Sequence, residues 1–190
     1  QSKWISGKES RKSVYRLRSK CDAVIVGAGT VRTDNPLLTS RGMIHPEPAR
    51  VVITKSFDLP SQAQIFNTSE ARTIIAYGPE VKEQKLKDFK CESELLKLNS
   101  GEPVELAEKL AAKGFNKVLW ECGPNLATIA FKQNCIQELI VVLAPKLLGG
   151  KAAMTPFGDF GFENMNEVLS MKNYSLIKQG NDLHLRFKCQ

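Results

Sequence analysis

Three short stretches of this sequence carry side chains in patterns that could do chemistry. The first runs from Gly27 to Arg41, where an apolar run meets Gly27 and Gly29 and then a polar loop bearing Thr30, Asp34 and Arg41. Glycine lets backbone approach a ligand closely. Thr30 offers a hydroxyl, Asp34 a carboxylate, and Arg41 a planar fork of donors suited to phosphate. The Asn35-Pro36 pair reads equally well as a plain turn beside a capped helix. GAGTVR matches G-x-G but has no third glycine at the dinucleotide offset, so it is a poor Rossmann fingerprint.

The second stretch is Trp120 to Phe131, WECGPNLATIAF. It reads as a strand end with Glu121 at its tip, then a Gly-Pro turn opening a helix whose first amides form a ready anion site. Glu121 is then either a solvated charge or a carboxylate that accepts from ligand N–H groups. The third is a basic helix with Arg11, Arg16 and Arg18, preceded by Trp4. On its own it is a solvated basic face, and Trp4 either packs in the core or lies flat against a ring.

The elements that must hold these residues follow from the hydrophobic pattern. Apolar runs at Asp22–Gly27, Arg50–Thr54, Arg72–Gly78, Ser93–Leu98, Asn116–Gly123 and Gln137–Pro145 predict strands of the buried kind. Between them, helices are predicted at Ser10–Lys20, Glu80–Phe89, from Pro103 to a stop at Gly114, and over Pro124–Lys132 with proline in the first turn. Two further strand-like segments, joined near Gly180–Asn181, predict a hairpin. Such alternation implies one α/β domain with a mainly parallel central sheet flanked by helices and a C-terminal antiparallel hairpin. In such a sheet, ligands gather at the carboxyl ends of the strands.

Composition narrows the partners. The net charge of +7 reads either as a solvated basic surface or as attraction to phosphate-bearing ligands. No Lys/Arg block or basic–aromatic interleave points to nucleic acid, so a phosphorylated small molecule is expected. No apolar run approaches the ~20 residues of a membrane span, and no membrane association is expected. Five cysteines, an odd count without C-x-x-C spacing, read as free thiols in a reducing, cytoplasmic compartment. With only two histidines no His-rich metal site is expected, and the zinc-deaminase signature is absent. The polar, basic start is no signal peptide, and the lack of an initiator Met suggests a fragment or processed chain.

The three stretches together resemble one family. WISGKESRKSVYRLRSKCDAVIVGAGTVRTDNPLLTSR is similar to the start of the reductase domain of the bifunctional riboflavin-biosynthesis deaminase–reductase. Matching positions are Trp4-Ile5-Ser6-Gly7, Arg11, Leu17-Arg18, Gly27, Gly29-Thr30-Val31, Asp34-Asn35-Pro36, Leu38-Thr39 and Arg41, followed by RVVIT, LWECGPNLA, LAPKLLGG and GNDLHLRF. The resemblance implies a dihydrofolate-reductase-like fold, a homodimer and NADPH as cofactor. It implies reduction of 5-amino-6-(5-phosphoribosylamino)uracil by hydride delivery to C1′ of the opened ribose, with protonation of the sugar oxygen. Reduction of the 2,5-diamino-pyrimidinone phosphate before deamination is the alternative, as is a non-catalytic binding or assembly module.

Carried over position by position, Ser2, Arg18, Leu38, Arg41 and Glu121 fall on substrate positions, with Arg18 and Arg41 clamping the ribose phosphate. Trp4, Thr30, Asp34, Lys55, Gly123, Pro124, Asn125, Leu126, Ala127, Thr128 and Ile129 fall on cofactor positions. Cys122 replaces the usual glycine of E-G-G-P. The family's opening strand, of pattern K-x-A-x-S-x-D-G, has no match here. The chain is therefore expected to lack that central strand and its proton-donating lysine, and no catalytic residue is assigned.

Overall fold

The computed structural model describes residues 4–150, 153, 155–171 and 173–189. Eleven residues from Lys8 form helix α1 (Lys8–Arg18), two residues earlier than the pattern predicts because the chain turns at Gly7. Four apolar runs become β1 (Ala23–Gly27), β2 (Ala49–Thr54), β3 (Thr73–Tyr77) and β5 (Val118–Trp120), with β4 (Glu94–Lys97) outermost. All are parallel, in the order β4-β3-β2-β1-β5. Alternate residues feed two apolar layers. Val24, Val26, Val52 and Ile75 pack with Val31, Phe57 and Phe66 on one face, and Ile25, Val51, Ile53 and Ile74 with Leu106 and Leu110 on the other. Burial on both faces is why these strands read as continuous apolar runs. Each fully buried Val or Ile contributes roughly 1.5–3 kcal/mol.

Helices α3 (Glu83–Asp88), α4 (Pro103–Ala112) and α5 (Pro124–Lys132) lie between the strands as the pattern predicts. The polar loop expected after Gly27 is instead a helix, α2 (Ala28–Asp34). Its glycine, Gly29, and its β-branched Thr30, Val31 and Thr33 are poor local helix formers. Tertiary contacts hold it: Val31 is fully buried in the core, and Arg32 donates to the Asp58 carbonyl at 2.8 Å.

β6 (Glu138–Leu143) does not join the parallel sheet. It pairs antiparallel with β8 (Asp182–Lys188), which pairs with β7 (Tyr174–Gln179) through the predicted hairpin, giving the order β6-β8-β7. Gly180, at φ +62, takes the left-handed turn position there. The pattern's first hairpin segment begins at Glu167, but Met165–Glu167 form a 3-10 turn and β7 begins only at Tyr174.

The two sheets are thus separate, and a groove of about 740 Å³ lies between β5 and β6. Glu121 N–H bonds to Ile25 O, so the odd-numbered residues of β5 face β1, and Val118 and Trp120 turn their backbone groups outward. Cys189 N–H bonds to Gln137 O, so by the antiparallel alternation Glu138, Ile140 and Val142 turn theirs away from β8. The groove is flanked by these two open edges, and the buried Trp120 Nε1 beside it has no partner among the described residues.

Helix α1 straps the sheets together. At one end, Gly7 N–H and the Ser10 hydroxyl donate to Asp182 Oδ2 at 2.7 and 2.5 Å, with His184 Nε2 2.9 Å from Ser10 Oγ. At the other, Arg18 reaches the tip of β5.

Candidate active site

Arg18, in the last turn of α1, meets Glu121 where β5 ends. Its Nε and Nη2 donate to Glu121 Oε1 and Oε2, both at 2.7 Å, and its Nη1 donates to the Thr39 carbonyl at 2.9 Å. The side chains are 12% and 24% exposed, so the fork-on-fork pair is shielded from bulk water on most sides. Two guanidinium groups lie over the Tyr15 ring, that of Arg18 at 5.7 Å and that of Arg41 at 6.0 Å. The structure therefore gathers Arg18, Arg41 and Glu121 from three distant parts of the chain, and adds Tyr15. Sequence reasoning passed over Tyr15, although its spacing of three from Arg18 puts it on the same helix face.

The loop after α2 supplies the rest of this corner. Asn35, Leu38 and Arg41 all have positive φ, at 44°, 59° and 60°. Such strain in non-glycine residues persists only where surrounding contacts fix it, and it clusters at functional sites. Here Glu47 accepts from the Ser40 and Gly42 amides at 2.5 and 2.7 Å, and the fully buried Arg50 reaches toward the Leu37 carbonyl. Burial pushes the Glu47 carboxyl up, but these amide bonds outweigh it and hold it below its ordinary value. Leu38 is 3% exposed with its side chain in the core. What it can offer a ligand is its N–H, which, like those of Thr39 and Arg41, has no acceptor among the described residues. Successive N–H groups in such a bend make an anion-binding concavity.

Helix α5 starts two residues past Cys122, at Pro124. Its N-cap is Gly123 in an extended conformation, without a side-chain cap, and a Cβ placed on Gly123 would meet nothing within 4 Å. The amides of Asn125 and Leu126 have no acceptor among the described residues, so the helix opens on free donors with room before them. That arrangement fits the phosphates of a dinucleotide. Cys122 does not spoil it electrostatically: burial, and then the charge of Glu121, push its thiol up to about 11, so it stays neutral.

The predicted stretch Gly123–Ile129 does not all face one way. Thr128 is buried, donates to the Pro124 carbonyl at 2.9 Å and accepts from Gly158 N–H at 2.8 Å, tying the 155–162 segment to the helix. Thr30 is half-buried and Asp34 exposed on α2, while Lys55 is 70% exposed at the end of β2, 3.5 Å from Glu102. Trp4 lies under Arg11, whose guanidinium is 5.2 Å from its ring. Ser2 lies outside the described residues. No group of three or more His, Cys, Asp or Glu among the described residues could hold a metal, and no described helix is long and apolar enough to cross a membrane.

The family model of the RibD C-terminal domain matches residues 1–185. The chain is 40% identical over 171 residues to the riboflavin biosynthesis protein RibD of Synechocystis, a match covering 90% of this chain and 46% of that protein. It is 28% identical over 182 residues to the 2,5-diamino-6-ribosylamino-4(3H)-pyrimidinone 5′-phosphate reductase of Aquifex aeolicus, covering 94% of this chain and 81% of that one. Acinetobacter baumannii RibD superposes with a TM-score of 0.81 at 28% identity, over all of this chain and 52% of its own. The chain thus spans about half the length of the RibD proteins it matches.

Proposed function

The chain belongs to the RibD C-terminal domain family, and from that premise we propose that it is the reductase part of a riboflavin-biosynthesis enzyme. In this reading it reduces 5-amino-6-(5-phosphoribosylamino)uracil to the phosphoribitylamino compound with NADPH. The observation that carries the reading is the meeting of the Arg18–Glu121 pair, Arg41 and the strained 35–42 loop, on the same sheet edge as the uncapped start of α5.

Each group has a task. Arg41 and the amides of Leu38 and Thr39 take the ribose phosphate. Glu121, oriented by Arg18, accepts from the substrate's N–H groups. The open amides of Asn125 and Leu126 take the cofactor's phosphates. A bound nicotinamide supplies the hydride that C1′ accepts. Holding both reactants in one orientation is the protein's main contribution to rate. This divides the phosphate clamp expected of two arginines: Arg18 is engaged by Glu121 and Thr39, so Arg41 does the clamping.

The Aquifex relative is named for a substrate carrying the same phosphoribosylamino group on a diamino ring. The corner around Arg41 suits either compound, so the test uses both. NADPH oxidation is followed with each substrate in a chain extended by the family's opening strand. We expect turnover, with Arg41→Ala raising KM and costing on the order of 1.5–3 kcal/mol of binding. No oxidation with either substrate would sink the enzymatic reading and leave a binding module.

Two further parts belong to this proposal. Five free thiols suit a reducing compartment such as the cytoplasm. A homodimer is favoured by one face of the small sheet, where Leu139, Val141, Leu143, Leu183, Leu185, Phe187, Tyr174 and Leu176 line up by register, Leu143 and Leu176 more than half exposed. A monomer in sedimentation at micromolar concentration would remove that part.

A further inference from the structure

Helix α1 brings no cap of its own. Its N-cap is Gly7, which has no side chain to offer. Its third residue is Ser10, too short to reach back to the Gly7 amide as a capping-box glutamate would. Asp182, at the start of β8, fills that place from across the fold. Its Oδ2 accepts from the Gly7 N–H at 2.7 Å and from the Ser10 hydroxyl at 2.5 Å. Ser10 and Asp182 are 1% and 2% exposed, so the cap is sealed from water. Ser10 gives its one hydrogen to Asp182, so its oxygen accepts from His184 Nε2–H at 2.9 Å. The Ser10 hydroxyl, and then the Gly7 amide, outweigh burial and hold the Asp182 carboxyl below its ordinary value. A carboxylate there also faces the positive end of the helix dipole.

The β7–β8 hairpin grips α1 at more than this point. Ser13, three residues on from Ser10, donates to Gln179 Oε1 at 3.0 Å. A Cβ on Gly180 would come within 2.9 Å of the Glu9 carboxylate, so the hairpin turn and the first turn of α1 are in contact. Lys146, beyond β6, donates to the Ile5 carbonyl just ahead of the helix. Gly7, Ser10 and Ser13 follow one another in steps of three and turn one face of α1 to the small sheet. Tyr15 and Arg18, also three apart, lie to one side of that face and run to Arg41 and Glu121.

A helix is a stiff link, and about two turns separate Ser10 from Arg18. A slip of one residue at the capped end would swing every side chain by about 100° around the axis. The Arg18–Glu121 pair tolerates little of that, because both its bonds need the two planar groups aligned. We propose that Asp182 is a positioning residue of the reductase site, fixing through the α1 cap the seat of Arg18 on Glu121 and of Tyr15 under Arg41. The proposal rests on the reductase reading given above for what the Arg18–Glu121 pair serves.

The test follows NADPH oxidation with the pyrimidine substrates in the chain extended by the family's opening strand. Asp182→Ala removes the acceptor of both bonds and should raise KM at least about tenfold. Asp182→Asn keeps an oxygen in the same place and should stay within about threefold of the parent. Added to Arg18→Lys, Asp182→Ala should cost less than about a further twofold, because the link it acts through is already broken. A second readout needs no substrate: exchange of the Arg18 Nε–H with solvent, followed by NMR, should be at least about tenfold faster in Asp182→Ala. If a melting curve shows that Asp182→Ala does not fold, Ser10→Ala, which removes one of the two bonds, takes its place with a KM rise of about threefold or more. An unchanged KM, or a rise that the Arg18→Lys background leaves undiminished, overturns the positioning role. Absence of turnover in the unsubstituted chain sinks the reductase reading. Unchanged Arg18 exchange overturns the link from Asp182 to Arg18, whether or not the chain turns over.

Discussion

Arg18 donates from Nε and Nη2 to both oxygens of Glu121 and from Nη1 to Thr39, so each of its terminal nitrogens has an acceptor inside the protein. Its work is therefore to position Glu121 and the 35–42 loop together. A lysine has a charge but no fork, so Arg18→Lys should raise KM for the pyrimidine substrate about tenfold or more while leaving cofactor affinity unchanged. Equal KM values in variant and parent would return Arg18 to a purely structural role. Glu47 anchors the same loop, and its folded-state carboxyl lies below its ordinary value of 4.5. A depressed carboxyl contributes stability that is full above its unfolded pKa and is lost as pH falls through the folded one. The stability gap between the parent chain and Glu47→Gln, measured by urea unfolding, should be constant from pH 7 to about 5 and close as the pH falls further. A gap independent of pH would show that the amide bonds to Glu47 do not anchor the loop.

At the scale of elements, the parallel strands were legible because burial on both faces leaves an unmistakable apolar run, and α5 because Gly123-Pro124 announces a helix start. α2 was not legible. Its local sequence argues for a loop, and only the burial of Val31 and the reach of Arg32 to the Asp58 carbonyl make it a helix. The site divides along the same line. Arg41, Glu121 and the α5 start stood out by residue type beside glycine or proline. Tyr15 and Glu47 did not, because each matters through a contact that only the folded backbone brings about: Tyr15 lies against Arg41, and Glu47 accepts from the Ser40 and Gly42 amides. Arg50 shows the limit from the other side. A charged residue in RVVIT gives no hint of burial, yet it is fully buried, donating to the Asn67 and Ala71 carbonyls and to Thr73 Oγ1. Burial lowers its pKa to about 10.

At the scale of the molecule, the open edges of β5 and β6 leave the two sheets joined by α1 and α5 rather than by a ladder. We propose that the groove between them seats the family's opening strand, making one continuous sheet. The strap gives a measure of the width. From Ser10, bound to β8, to Arg18, bound to β5, α1 rises about 12 Å. Three strand spacings, about 14 Å, separate β5 from β8 if one strand lies in the groove, against about 10 Å if none does, so with side-chain reach the helix spans a one-strand gap. Pairing would satisfy the outward backbone groups of Val118, Trp120, Ile140 and Val142 and cover apolar surface on both faces of the half-buried β5. Extending the chain with the K-x-A-x-S-x-D-G strand should therefore protect those four amides from hydrogen exchange. It should also raise the melting temperature by at least about 2–4 °C, the shift that 1 kcal/mol produces in a domain of this size. If the extended chain melts where the parent does and those amides exchange as before, the groove is not that strand's seat.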